Sequence, residues 1–117
     1  MVMSWRLEIA DQTAGRLKRY SKKHPVETKQ VFKNLDRFLV FLNKNDLDPN
    51  FVTDFVRQEK GGLIAADTRG LPKSAKRETR LYVYPMKDKR ILRVLRIGDK
   101  DTQSDDIREC RKLMQKL

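Results

Sequence analysis

The stretch Lys89–Gln103, KRILRVLRIGDKDTQ, constrains the fold of this chain more than any other. Apolar residues interleaved with arginines from Arg90 to Ile97 predict a β-strand with one buried side. The strand ends at Gly98–Lys100, and Thr102 is suited to cap a following helix. A cationic strand end beside a helix N-terminus favours the binding of phosphate. We expect the rest of the chain to support this strand or to add positive charge around it.

Length and charge indicate a single basic domain. The chain has 117 residues, enough for one modest core, and a formal net charge of +11 with a sequence pI of about 10.0. Such a balance predicts a polyanionic partner or an acidic protein. Charge alone does not separate RNA, DNA, a membrane surface and an acidic protein.

Several classes of protein are disfavoured by what the sequence lacks. Cys110 is the single cysteine and His24 the single histidine, so no internal disulfide and no zinc site are expected. No glycine-rich phosphate-binding motif is present. No long apolar run and no signal peptide are evident, which predicts a cytoplasmic protein without a membrane partner. We expect no metal and no cofactor.

The N-terminal half predicts one strand and two helices. Val2–Ala10 alternates between apolar and polar residues, as a half-buried strand does. Asp11 or Thr13 can cap a first helix, which ends near His24, and Pro25 suits the first turn of a second helix. The apolar stripe of the second helix consists of Val31, Leu35, Phe38, Leu39 and Leu42.

The C-terminal half predicts three strands and a final helix. Asp48–Lys60 is expected to hold a short third helix, with Phe51, Val52, Phe55 and Val56 facing inward. The predicted strands are Leu63–Asp67, Glu78–Pro85 and Arg90–Ile97, and Thr102 or Ser104 caps the final helix. Short connections make these strands antiparallel. We therefore expect an α+β fold, with a small, mainly antiparallel sheet of about four strands, helices on one face and a polar opposite face.

Positive charge concentrates in the predicted sheet. The segment from Arg69 to Arg96 holds ten cations against two acids, a net charge of +8. Arg80, Tyr82 and Tyr84 share one strand face. Arginine holds phosphate and aromatic rings stack unpaired bases, so this face is suited to single-stranded nucleic acid. The alternative is a solvated sheet face with tyrosines at the edge of the core.

Four other features have simple structural interpretations. His24 is interpreted as a capping or surface residue, and the Lys22–Lys23 pair as a solvated helix end. Cys110 lies on an apolar helical stripe and is expected in the core. Asp99 could serve as a base or as a turn residue, and we favour the turn.

Two motifs resemble a known family. IGDKDTQSDDI, residues 97–107, resembles the GDKxTQxxDI ending of RelE/HigB-type toxins, and Arg80–Tyr84 resembles the strand in which that family carries an arginine. The order of elements resembles the RelE/ParE superfamily over nearly the whole chain, residues 1–117. The resemblance implies a RelE-like toxin of a type II toxin–antitoxin system. It also implies metal-independent, ribosome-dependent cleavage of mRNA, with a cognate antitoxin, the ribosome and mRNA as partners.

The resemblance also implies functional residues. It places Arg80 as the arginine that stabilises phosphate and Lys100 as the cation at the end of the last strand. The expected catalytic residues are Arg80, Lys100 and Asp99, and the expected RNA-binding residues are Lys73, Lys76, Arg77, Tyr82, Tyr84, Arg93 and Arg96.

Departures from the family pattern leave two other functions open. No aromatic residue and no histidine follows Tyr84, although ribosome-dependent members often carry one near the C-terminus. The segment Asp48–Lys60 is also longer than the usual connection. The alternatives are a ParE-like inhibitor of DNA gyrase and a non-catalytic basic protein that binds nucleic acid.

Overall fold

The computed structural model describes residues 4–72 and 77–117. Within them, one strand precedes two helices, and four strands then precede a final helix, an α+β arrangement that confirms the predicted fold class. The elements are β1 (Arg6–Ile9), α1 (Asp11–Lys23), α2 (Pro25–Asn45), β2 (Val56–Gln58), β3 (Ile64–Ala66), β4 (Thr79–Met86), β5 (Ile91–Asp99) and α3 (Gln103–Met114).

The strands form one sheet in the order β1-β5-β4-β3-β2 among the described residues. Strand β1 runs parallel to β5, and the other neighbours are antiparallel. The three predicted C-terminal strands are confirmed to within two residues at each end. Residues 2 and 3 of the predicted first strand lie outside the described residues, and in the rest of it β1 covers Arg6–Ile9. Strand β2 was not predicted, so the sheet has five strands rather than about four.

One core lies between the α1–α2 hairpin and the sheet. The apolar stripe of α2 supplies Val31, Leu35, Phe38 and Leu42, all fully buried. They pack in one cluster with Leu81 of β4 and other residues of the inward-facing side of the sheet. The predicted helical hairpin and its stripe are therefore confirmed. No helix among the described residues combines the length and the apolar character needed to cross a membrane.

A second core lies on the opposite face of the sheet, beneath α3. Tyr82, Leu95 and Cys110 are buried there, with Ile107 packed against them. The prediction of a polar face opposite the helices is therefore wrong. Tyr82 shares its strand face with Arg80 and Tyr84, but its ring is large and apolar, and α3 covers it. The predicted core position of Cys110 is confirmed.

The segment predicted as a third helix has a different structure. It contains a single 3₁₀ turn, Pro49–Phe51, followed by β2, and the Phe51 side chain is 85% exposed rather than buried. The Gln58 amide donates hydrogen bonds to the carbonyl oxygens of Pro49 and Val52, both at 2.8 Å. These bonds satisfy backbone groups that a helix would have paired internally, which favours the turn over the helix.

Helix α1 closes the edge of β5 that β1 leaves open. Strand β1 pairs with β5 only as far as Val94. Beyond that point, Thr13 Oγ1 donates to the Leu95 carbonyl at 2.5 Å, and Arg16 Nε donates to the Ile97 carbonyl at 2.7 Å. Side chains of α1 therefore satisfy an edge that would otherwise be free to pair with another strand. The same contacts place α1 beside the end of β5.

Candidate nucleic-acid interface

The start of β4 and the end of β5 bring several predicted site residues together. In the sheet register Thr79 lies opposite Asp99 and Arg80 lies opposite Gly98. Just beyond the strands, the Lys100 amide donates to the Glu78 carbonyl at 3.2 Å. Arg80, Asp99 and Lys100 therefore meet at one end of the central strand pair.

Asp99 is engaged in a turn and an ion pair. Its Oδ1 accepts hydrogen bonds from the amides of Asp101 at 2.9 Å and Thr102 at 3.1 Å, and its Oδ2 lies 3.0 Å from Arg77 Nη1. Partial burial opposes ionisation, but the bonds from Arg77, Thr102 and Asp101 outweigh it and lower the pKa of the Asp99 carboxyl. This geometry favours the turn role of Asp99 over a role as a base.

A buried carboxylate, Asp106 of α3, joins this strand end to both α1 and α3. Its Oδ1 lies 2.5 Å from Arg96 Nε and 3.1 Å from Arg16 Nη2, and its Oδ2 accepts a 2.6 Å hydrogen bond from Thr102 Oγ1. A Cβ atom on Gly98 would lie 1.8 Å from Asp106 Oδ2. Glycine is therefore required at this strand end because the carboxylate occupies the space of a side chain.

Arg80, the arginine implied to stabilise phosphate, is buried. The residue is 4% exposed, and its Nη2 lies 3.8 Å from Glu78 Oε1. Its Nε and Nη1 atoms are buried without a hydrogen-bond partner among residues 4–72 and 77–117. The expectation that this strand face is exposed is therefore wrong for Arg80. In this arrangement the guanidinium is closed to a phosphate in solution.

The two tyrosines of β4 differ in accessibility. Tyr82 is fully buried, so its ring presents no free face to a base in this arrangement. Burial, and then the negative charge of Asp106, raise the pKa of the Tyr82 hydroxyl. Tyr84 is half-buried and lines a cavity of about 570 Å³ together with Lys87 and Lys89. That cavity lies at the opposite end of β4 from Arg80.

The other described residues predicted to bind RNA on β5 are held in ion pairs. Arg93 pairs with Glu8 of β1 at 2.5 Å, and Arg96 pairs with Asp106. Lys73 and Lys76 lie outside the described residues.

Ion pairs neutralise most of the basic segment Arg69–Arg96. Seven of the eight cations that the structure describes in this segment lie within 4.0 Å of a carboxylate oxygen. The seven are Arg69, Arg77, Arg80, Lys87, Arg90, Arg93 and Arg96. The formal net charge of this segment is +8. The ion pairs with acids from other segments make the charge available on its surface smaller than that.

A second basic region lies beside the strand end, on α1. A cleft of about 280 Å³ between α1 and the end of β5 is lined by Arg16, Arg19 and Lys23 and by the rings of Tyr20 and His24. From the sequence, His24 was expected to be a capping or surface residue and Lys23 part of a solvated helix end, so this cleft was not predicted. The signal was present as spacing, since the three cations recur at i, i+3 and i+7 and the two rings at i and i+4.

Comparisons with known proteins identify the fold. No protein-family model matches the chain, and no curated protein matches its sequence significantly. A solved structure of the E. coli toxin RelE, a double arginine-to-alanine mutant in the free state, matches with a TM-score of 0.54 and 14% sequence identity. The match covers 94% of this chain and 97% of that one. The chain has a RelE-like fold, which confirms the fold that the two motifs implied.

Proposed function

We propose that the chain is the toxin of a type II toxin–antitoxin system and that it cleaves mRNA on the ribosome without a metal. The observation that carries the proposal is the exposed Lys100 at a strand end of a RelE-like fold, where Arg77 and Arg80 also lie. Cations at such a position are suited to stabilise the charge that grows on a phosphate during cleavage.

These cations act at different stages of RNA cleavage. The 2′-hydroxyl of the RNA loses its proton and attacks the neighbouring phosphorus, and the bond from phosphorus to the 5′-oxygen breaks as that oxygen gains a proton. Lys100 is exposed and meets the phosphate first. In this proposal Arg80 contacts the phosphate after Lys100 does, and the buried guanidinium must first become accessible. The neutralising partner in this proposal is an antitoxin protein that covers the basic surface.

Lys100→Ala is the variant that tests the proposal in cells. Inducible expression in a bacterium, with 5′-end mapping of a reporter mRNA, measures cleavage within translated codons. We expect the wild type to produce new ends that vanish when translation is blocked. Lys100→Ala should lower cleavage about 100-fold, because a donor at the developing charge is lost.

Lys89→Ala is the matched control. Lys89 is an exposed lysine in the turn before β5, whereas Lys100 follows the same strand at its other end. The control should cleave as the wild type does. Full cleavage by Lys100→Ala would contradict the assigned site. Arg80→Ala is a weaker first test, because a buried residue changes stability as well as chemistry.

A ParE-like gyrase inhibitor is the second candidate. The sequence feature that favours it is the absence of any aromatic residue or histidine after Tyr84. Growth arrest with intact mRNA and induced DNA damage signalling in the same experiment would support this function instead. Absence of growth arrest would contradict both toxin functions and favour a basic binding domain.

A further inference from the structure

The cleft between α1 and the end of β5 has the composition of a phosphate site. Three of its lining residues are cations, Arg16, Arg19 and Lys23, and one is a carboxylate, Asp99. Asp99 is itself held by Arg77 and by two backbone amides. Its negative charge is therefore already compensated, and the cations dominate the cleft.

Two of the three cations are available to a ligand. Arg16 uses its guanidinium on the Ile97 carbonyl and on Asp106. Arg19 and Lys23 are exposed and form no ion pair with any residue that the structure describes. They stand four residues apart on α1, so both side chains extend from one face of the helix.

An aromatic pair forms another part of the same cleft. The ring centroids of Tyr20 and His24 lie 4.8 Å apart at an interplanar angle of 50°. The Tyr20 hydroxyl and Thr79 Oγ1 are 2.7 Å apart, which ties the pair to β4. Burial raises the pKa of the Tyr20 hydroxyl despite that hydrogen bond, so the ring remains neutral at physiological pH.

We propose that this cleft binds a phosphodiester of single-stranded RNA, with Arg19 and Lys23 on the phosphate and the Tyr20–His24 pair against the adjoining sugar or base. An acidic peptide would use the cations alone. RNA uses the cations and the aromatic rings together, and the cleft adjoins the strand end that carries Lys100. The inference rests on the proposed function in taking RNA as the polyanion, and it adds a second contact for the same strand.

His24 supplies a direct readout because it is the only histidine in the chain. The full chain, made in a cell-free system, is titrated with a short 2′-O-methyl oligouridine while the NMR signal of the imidazole Cε1 proton is followed. We expect a saturable shift for the wild type. Arg19→Gln with Lys23→Gln should weaken binding about tenfold, because two phosphate contacts are lost.

The matched control is Lys29→Gln with Lys33→Gln, which removes the same charge from exposed positions on α2. It should bind within about twofold of the wild type. An unmoved His24 signal, or equal weakening in both double variants, would overturn the inference. A saturable shift with polyglutamate but not with RNA would overturn it in favour of an acidic protein partner.

The 5′-end mapping separates this inference from the proposed function. The cleft proposal alone would be overturned if mRNA were cleaved in cells, the His24 signal did not shift on titration, and Arg19→Gln/Lys23→Gln kept full activity. A shifted His24 signal in a protein that leaves mRNA intact would overturn the endonuclease and support the cleft.

Discussion

The strand segment Arg69–Arg96 and helix α1 are both rich in basic residues, but their charges have different surroundings. Carboxylates pair with seven of the eight described cations of the strand segment. On α1, four cations form no ion pair within residues 4–72 and 77–117. They are Lys18, Arg19, Lys22 and Lys23. The segment with the larger sequence charge is therefore the more neutralised of the two.

The difference arises from where the acids lie in the chain. The partner of Arg93 is Glu8, 85 residues away, and the partner of Arg90 is Asp46, 44 residues away. Folding brings these acids to the sheet from distant segments. Helix α1 contains one acid, Asp11, at its N-terminal end. Net charge per segment therefore gives a poor guide to the cations that remain available to a polyanion.

The largest expected effect comes from Asp106→Asn, since this carboxylate neutralises one arginine of each region. Asp106 is fully buried and pairs with Arg96 of β5 and Arg16 of α1. Asparagine keeps the shape and removes the charge, which should lower the free energy of unfolding by about 2–4 kcal/mol, because both arginines are only partly exposed. Urea-induced unfolding measures the loss.

Asp105→Asn is the control for that variant. Asp105 precedes Asp106 on α3 but is exposed and pairs with Arg108 at the surface. Its loss should cost less than about 1 kcal/mol. Equal losses for the two variants would show that Asp106 does not join the two regions.

A smaller effect concerns the core beneath α3, which excludes water, whereas the surface of α1 is exposed to it. Burial, and then the charge of Asp106, raise the pKa of the Cys110 thiol from 9.0 to about 12. Above pH 9 the unfolded chain loses the thiol proton while the folded chain keeps it, so stability falls as pH rises. The expected loss is about 1.4 kcal/mol per pH unit.

Cys110→Ala isolates this contribution. The variant should lose less free energy of unfolding between pH 9 and pH 10 than the wild type loses, although its stability at pH 7 is also lower because of the cavity. Only the slope against pH matters for the comparison. Parallel slopes for the wild type and the variant would mean that the thiol is not buried in the way the structure describes.

The local elements could be predicted from the sequence, since each has a periodic signal. Alternation indicated β4, the stripe through Val31 and Leu42 indicated α2, and the residues from Ile97 to Ile107 indicated the strand end and the last helix. The segment around Phe51 could not be predicted. Its apolar spacing is typical of a helix, but amide hydrogen bonds from Gln58 stabilise a turn.

The candidate site was predictable only in part, because burial and pairing depend on distant segments. The turn role of Asp99 follows from its neighbours, but the register that places Arg80 opposite Gly98 includes a shift between Tyr82 and Val83 that the sequence does not reveal. The burial of Tyr82 depends on α3 covering that face, which strand alternation does not reveal. The pairing of Arg93 depends on Glu8, at the other end of the chain.

The salt dependence of RNA binding tests the central claim most directly. The affinity of the full chain for a short single-stranded RNA is measured across salt concentrations for the wild type, for Arg19→Gln/Lys23→Gln on α1, and for Lys87→Gln/Arg90→Gln beside the sheet. The two double variants lose the same charge. The sheet cations pair with Asp48 and Asp46, whereas the α1 cations pair with no described residue.

The plot of log K against log salt has a negative slope. We predict that the α1 variant reduces the magnitude of that slope by about 1.4, as expected for two lost phosphate contacts on a single strand. The sheet variant should leave the slope within about 0.3 of the wild type. A larger fall in the sheet variant than in the α1 variant would contradict the claim that ion pairing determines which basic residues reach the polyanion.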